Sequence, residues 1–270
     1  MGNSAAQSRA TSGSEGLMGH KKAQKTQKQI CAFCAFLWLL CFPVLAQDAI
    51  QKQQQRLSSS DVEERRDAVM RLGSMRLEAA SRVVLPALHD AAPIVRATAA
   101  KAILSLGSEM SAGHLLPLLN DKDEFVRRET AYALGLTKSR TATAALSERL
   151  LTDKEDGVRA AAAVALGEIA DEAAVVPLVQ ALTATKKVNV FVLRASAVAL
   201  GKIKSRAGTA ALISTLSNEK HPSDVRREAA RSLGLIGDPT AASALKAAST
   251  AEDPFLSEIA HEALKKLSRG

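Results

Sequence analysis

This sequence predicts an all-α fold, a right-handed solenoid of stacked antiparallel helix pairs, on three observations. One motif recurs seven times at intervals of 31–34 residues. Within each copy the apolar residues return at helical spacing, the signature of a one-sided helix. Aromatics make up only 3% of the 270 residues, so the core must be Ala, Leu and Val. Such a core suits close-packed helices better than a β-sandwich, whose strands favour aromatic and β-branched residues.

The copies run in order along the chain. The first reads ERRDAVMRLGSM from Glu64, the second VRATAAKAILSLG from Val95 and the third VRRETAYALGL from Val126. VRAAAAVALGEI follows from Val158, VLRASAVALGKI from Val192, VRREAARSLGLIG from Val225 and a degenerate LSEIAHEALKKL from Leu256. Each motif is the first helix of a pair. In the fourth copy Val158, Ala162, Ala165, Leu166 and Ile169 form its apolar face. The second helix follows Asp171, with Ala174, Val175, Leu178, Val179 and Leu182 as its stripe. Acidic or glycine-containing turns separate the helices, and Pro239 is placed to open one at its first turn. Ser60 with Glu63 has the form of a capping box that starts the first unit.

One helix pair cannot bury its own apolar face, whereas stacked neighbours share a continuous core. Five places after the leading valine stand Ala100, Ala131, Ala163, Ala197 and Ala230, small enough for close helix approach. Gly73, Gly135, Gly167, Gly201 and Gly234 share a second register. Each costs about 1 kcal/mol of helix propensity relative to Ala, so five in line imply a close backbone contact. The second unit departs from this pattern, with Leu104 in the register and Gly107 three places later. Lys265 occupies the register in the last copy, as a solvated end requires.

The pattern V-R-x-x-x-A-x-A-L-G-x-I, with its second helix and acidic turn, resembles HEAT repeats. The short HEAT-like subtype of phycobilisome lyase subunits is the most similar form. The resemblance covers residues 58–270: six helix pairs and a C-terminal capping helix. It implies a protein-interaction scaffold. It also suggests a chromophore lyase or chaperone-like subunit, or, by analogy with HEAT-like DNA glycosylases, a nucleic-acid-binding protein. Tetratricopeptide and ankyrin landmarks are missing.

The N-terminus reads as an address. Ile30 to Leu45 is an uncharged apolar run of sixteen residues, preceded by the basic stretch HKKAQKTQK. With Val44 and Ala46 before the junction, this is the layout of a secretory signal peptide cleaved between Ala46 and Gln47. The run is short for a spanning helix, which needs roughly 20 residues. An uncleaved signal anchor is the alternative. Residues 1–17 form an extra prefix, and Met18 would give a leader of ordinary length. Residues 47–57 read as a polar linker or loose helix. Export to a bacterial periplasm or cell envelope is the expectation, with no stable membrane insertion after signal removal.

The leader also explains much of the formal charge of +8. It carries five basic residues against Glu15, which leaves a net of about +4 for the remainder. That balance does not by itself point to nucleic acid. All three cysteines (Cys31, Cys34, Cys41) lie in the leader, so the chain after Ala46 can make no disulfide.

Chemistry-bearing motifs are missing from the chain after Ala46. His89, His114, His221 and His261 have no zinc-site spacing, and no nucleophile elbow, phosphate loop or dinucleotide fingerprint occurs. Repetition supplies the same residues to every unit rather than gathering them in one pocket. The expectation is a non-enzyme without metal or cofactor. Arg65, Arg66, Arg96, Arg127, Arg128, Arg159, Arg194, Arg226 and Arg227 form a recurring basic row. They can serve an anionic ligand, or pair with turn acids such as Asp61, Asp123, Asp156 and Asp224, and the second use is the stronger reading. Solenoids commonly bind through the concave wall of second helices. Helical phase assigns His114, Glu148, Arg149, Gln180, Thr215 and Lys246 to that wall here, as sites for a protein or peptide partner, with no nucleic acid expected.

Overall fold

Asp61, Asp123 and Asp253 each accept a hydrogen bond from the backbone N–H two residues ahead, and a first helix of a repeat begins at each. The structure, a computed structural model, describes residues 46–184 and 189–268. The signal-peptide and prefix readings of 1–45 lie outside the described residues. The chain divides into Met1–Lys52, of which the described residues are helical, and Gln53–Gly270, which holds the repeats. Residues 46–56 are helical throughout (α1), so the stretch 47–57 expected as a linker or loose helix is a helix up to Arg56, and Ala46 and Gln47 lie in that helix.

Six helix pairs follow: α2 (Val62–Ser74) with α3 (Glu78–Val84), α4 (Pro93–Ala102) with α5 (Ser108–Leu115), and α6 (Glu124–Thr137) with α7 (Thr143–Thr152). Next come α8 (Asp156–Ile169) with α9 (Val175–Leu182), α10 (Val190–Ile203) with α11 (Thr209–Ser217), and α12 (Ser223–Ile236) with α13 (Ala242–Ala248). The last element is α14 (Pro254–Leu267). Each first helix packs on the next first helix and on the second helix of the unit before it, and no strand occurs among the described residues. This is an α-solenoid.

The first unit is capped differently from expectation. Asp61, not Ser60, accepts from the Glu63 N–H at 3.0 Å, so the Ser60–Glu63 capping box does not form. Asp is as good an N-cap as Ser, and it adds a charge that favours the helix N-terminus.

The small-residue registers work as helix contacts. Ala100, Ala131, Ala163, Ala197 and Ala230 are fully buried. A Cβ built on Gly73, Gly135, Gly167, Gly201 or Gly234 would lie within 2.9 Å of a backbone or side-chain atom of Ala102, Ala165, Ala199, Ser232 or Ala263 respectively, each on the next first helix. Gly107 has another duty. It meets nothing within 4 Å, but its φ of +88° suits glycine, and it sits where the second unit leaves its first helix early. α4 therefore stops at Ala102, about one turn short of its neighbours. Lys265 is exposed on α14.

Candidate functional site

The arginine row divides by position. In the first three units the arginine one place after the leading residue turns inward and links units. Arg65 grips Asp90 at 2.7 and 2.8 Å, and Arg96 grips Asp121 at 2.7 and 2.8 Å. Arg127 grips Asp153 at 2.8 and 2.9 Å. The second guanidinium edge donates to carbonyls of the preceding turn, Asp90 for Arg96 and Asp121 for Arg127. Each aspartate also accepts the backbone N–H two residues on. The result is a continuous polar ladder across the first interfaces, with Arg127 and Asp153 side chains only 7% and 2% exposed.

The partner acids lie 25 or 26 residues downstream, in the next unit's turn. They are not Asp61 or Asp123, although Asp156 does pair with Arg159 at 3.1 Å and Asp224 with Arg194 at 3.8 Å. The Arg65 guanidinium holds the Asp90 carboxyl below the ordinary carboxylate range. For Asp121 and Asp153 burial pushes upward, but the arginine and backbone hydrogen bonds outweigh it and the net direction is down. The ladder stops at Arg159, which turns to Asp156 of its own first turn and to the Leu150 carbonyl. In the fifth unit Leu193 replaces the arginine. In the sixth it is Arg227, one place later, that grips Asp253 at 2.9 and 2.8 Å.

Arginines two places after the leading residue lie nearer the surface, with side chains 32–49% exposed, and two of them, Arg128 and Arg227, stack on aromatics. Every aromatic residue after Ala46 (Phe125, Tyr132, Phe191, Phe255) lies on a first helix and outside the buried core. Phe191 and Phe255 are 64% and 62% exposed. The Arg128 guanidinium stacks over the Phe125 ring at 5.1 Å, and that of Arg227 over Phe255 at 5.0 Å. Met70, Leu136 and Leu235 add exposed apolar surface on the same helices.

Two depressions open on this face. One, of about 460 Å³, lies over α4 and is walled by Met70, Ile94, Ala97, Lys101, Phe125 and Glu129. The other, of about 520 Å³, lies over α8 among Arg128, Glu129, Tyr132, Gly157, Ala160 and Phe191. Glu129 borders both, so they are adjacent. Their cause is legible in register. The outward position holds Arg66, Arg128, Arg194 and Arg227 in four units but Ala97 in the second and Ala160 in the fourth. Each depression sits where alanine replaces arginine.

The second helices carry the residues expected to bind. His114, Glu148, Gln180 and Lys246 are exposed and Arg149 is half-buried. Glu148 and Arg149 pair with each other. Thr215 does not belong with them. It is 2% exposed and its hydroxyl donates to the Ala211 carbonyl at 2.9 Å, so it faces the core. A one-residue error in helical phase turns a side chain by about 100°, enough to move it from solvent to core. The first-helix face was missed because its aromatics are too sparse to form a periodic signal. The clue was their shared place: Phe125, Phe191 and Phe255 each directly precede a leading residue. Among the described residues no cluster of His, Cys, Asp or Glu is suited to hold a metal ion, and no helix is long and apolar enough to cross a membrane.

The fold and its repeat registers define an α-solenoid repeat protein. The chain belongs to the HEAT-repeat family, whose profile matches residues 50–135, 112–190 and 184–265. Among solved structures it is similar to the Escherichia coli protein YibA, with 22% identity over 83% of this chain and 82% of that one and a TM-score of 0.61. It is also similar to the complex of CpcE and CpcF of phycocyanin lyase from Nostoc sp. PCC7120, at 25% identity, 82% and 91% coverage and a TM-score of 0.50. Human deoxyhypusine hydroxylase aligns at 20% identity, 82% and 85% coverage and a TM-score of 0.44. Comparison with curated proteins gives no match.

Proposed function

We propose that this chain is an exported, non-catalytic scaffold that binds a protein or peptide partner. One observation carries the reading. All four aromatics after the leader stand outside the core, on the first helices. Aromatics and arginine supply most of the anchoring energy in protein interfaces, and a run of them left uncovered marks a binding surface. The basic leader and the apolar run Ile30–Leu45 support export to a bacterial periplasm or cell envelope. Nucleic acid is no part of this reading, because the outward cations Arg66, Lys101, Arg128 and Arg231 each lie beside a carboxylate of their own face.

The test is affinity capture from envelope extract with the tagged full-length chain. A reproducible partner, lost when Tyr132 and Phe191 are both changed to serine, supports the scaffold. No partner above background overturns it. A second reading, a lyase-like subunit, is supported by the likeness to the CpcE–CpcF complex. A purified protein that neither associates with phycocyanin nor carries a chromophore absorbance ends that reading.

A further inference from the structure

We infer that the two depressions together recognise an extended peptide with two apolar anchor side chains five or six residues apart and an acidic residue midway between them. The inference rests on the scaffold reading and specifies its ligand. The depressions lie over α4 and α8, with α6 between, so their centres are two helix steps apart. At roughly 8–10 Å per step this is about 16–20 Å. An extended chain rises about 3.3 Å per residue and covers that distance in five or six residues. A helical partner would need anchors about 11–13 residues apart at 1.5 Å per residue.

The chemistry of the walls sets the rest of the motif. The floor of the first depression is apolar and small, Ile94 and Ala97 between Met70 and Phe125. Tyr132 and Phe191 face the second, Asn189 and Asp156 also line it, the latter held by Arg159 at 3.1 Å, and Gly157 and Ala160 put no long side chain into it. Each fits one aliphatic or aromatic group. Arg128 borders the second depression and stacks on Phe125, which borders the first, so its guanidinium stands on the ridge between them. It is 40% exposed, while its neighbour Glu129, 3.5 Å away and shared with Lys101, is only 14% exposed. The outermost charge on the ridge is therefore positive, and a carboxylate crossing it meets a cation already oriented by an aromatic ring.

The experiment selects binders to the full-length protein from a displayed library of random peptides of about 16 residues, long enough for either spacing. The consensus peptide is then titrated by fluorescence anisotropy. The expected consensus is two apolar residues five or six apart with Asp or Glu between. Lengthening that spacing by three residues, or replacing the acid with Lys, weakens binding at least about tenfold. Ala160→Arg, which copies the residue of the neighbouring units, and Phe191→Ser, at an exposed position, each produce a similar loss with an unchanged circular dichroism spectrum. Either of the two that retains its fold suffices. No enriched motif, a spacing near eleven, or wild-type binding by a folded variant overturns the inference. Capture of a partner that survives these substitutions would leave the scaffold standing and remove the depressions as its site.

Discussion

Substituting Gly135 by alanine tests whether the solenoid's packing depends on backbone contact between first helices. A Cβ there would lie 2.8 Å from the Ala165 Cα and 3.0 Å from its Cβ. Carbon atoms in contact prefer about 3.5–4.0 Å, so α6 and α8 must separate or bend by several tenths of an ångström or more. Overpacking of this kind costs about 1–3 kcal/mol, while Gly-to-Ala in a helix interior contributes up to about 1 kcal/mol in the other direction. Gly113 is the matched control, since it lies in α5, is exposed, and has nothing within 4 Å of its built Cβ. The propensity gain is common to both sites, and the difference isolates the clash at about 1–3 kcal/mol. Urea unfolding followed by circular dichroism reads it, with Gly135→Ala below wild type or level with it and Gly113→Ala above. Equal stabilisation by both substitutions would refute the contact argument. A companion substitution, Ala165→Gly, removes one of the two opposing atoms and should relieve part of the Gly135→Ala loss.

The polar ladder supplies further predictions. Asp153→Ala leaves Arg127 buried without its partner and should cost about 3–5 kcal/mol, whereas Arg194→Ala, at a half-exposed pair 3.8 Å apart, should stay within about 0.5 kcal/mol, both by denaturant titration. Asp90, Asp121 and Asp153 are held below the ordinary carboxylate range in the folded state. Their contribution is thus complete above an unfolded value of about 4 and is lost as pH falls through the lower folded values. Melting temperature should therefore drop steeply only in acid, and Asp153→Asn should flatten that drop; an unchanged slope would show that the ladder does not set the acid limit. Thr215→Val should leave partner binding unaltered in a capture assay, because the side chain it changes is buried.

Much of this protein was legible in the linear order of its residues. The period, the pairing of helices, the acid partners of the arginine row in kind, and the close approach at Gly73, Gly135, Gly167, Gly201 and Gly234 all follow from one-dimensional recurrence. A residue that costs helix propensity in every unit must be offset by something the stack provides. Local periodicity also separates core from surface for strongly apolar stripes such as Val158 to Ile169.

Tertiary structure decided what depends on contact between units. The arginines clamp aspartates 25 or 26 residues downstream because stacking, not sequence proximity, brings the next turn against the first helix. Asp61 rather than Ser60 caps α2 because the entering backbone directs that side chain at the free N–H groups. Thr215 turns inward, and Phe125, Tyr132, Phe191 and Phe255 turn outward, since one residue of helical phase, about 100°, decides whether a side chain meets the core or solvent. The depressions at Ala97 and Ala160 are the furthest from the sequence. An alanine among arginines is a small change within one repeat, and it becomes a cavity only when longer side chains stand on the helices to either side.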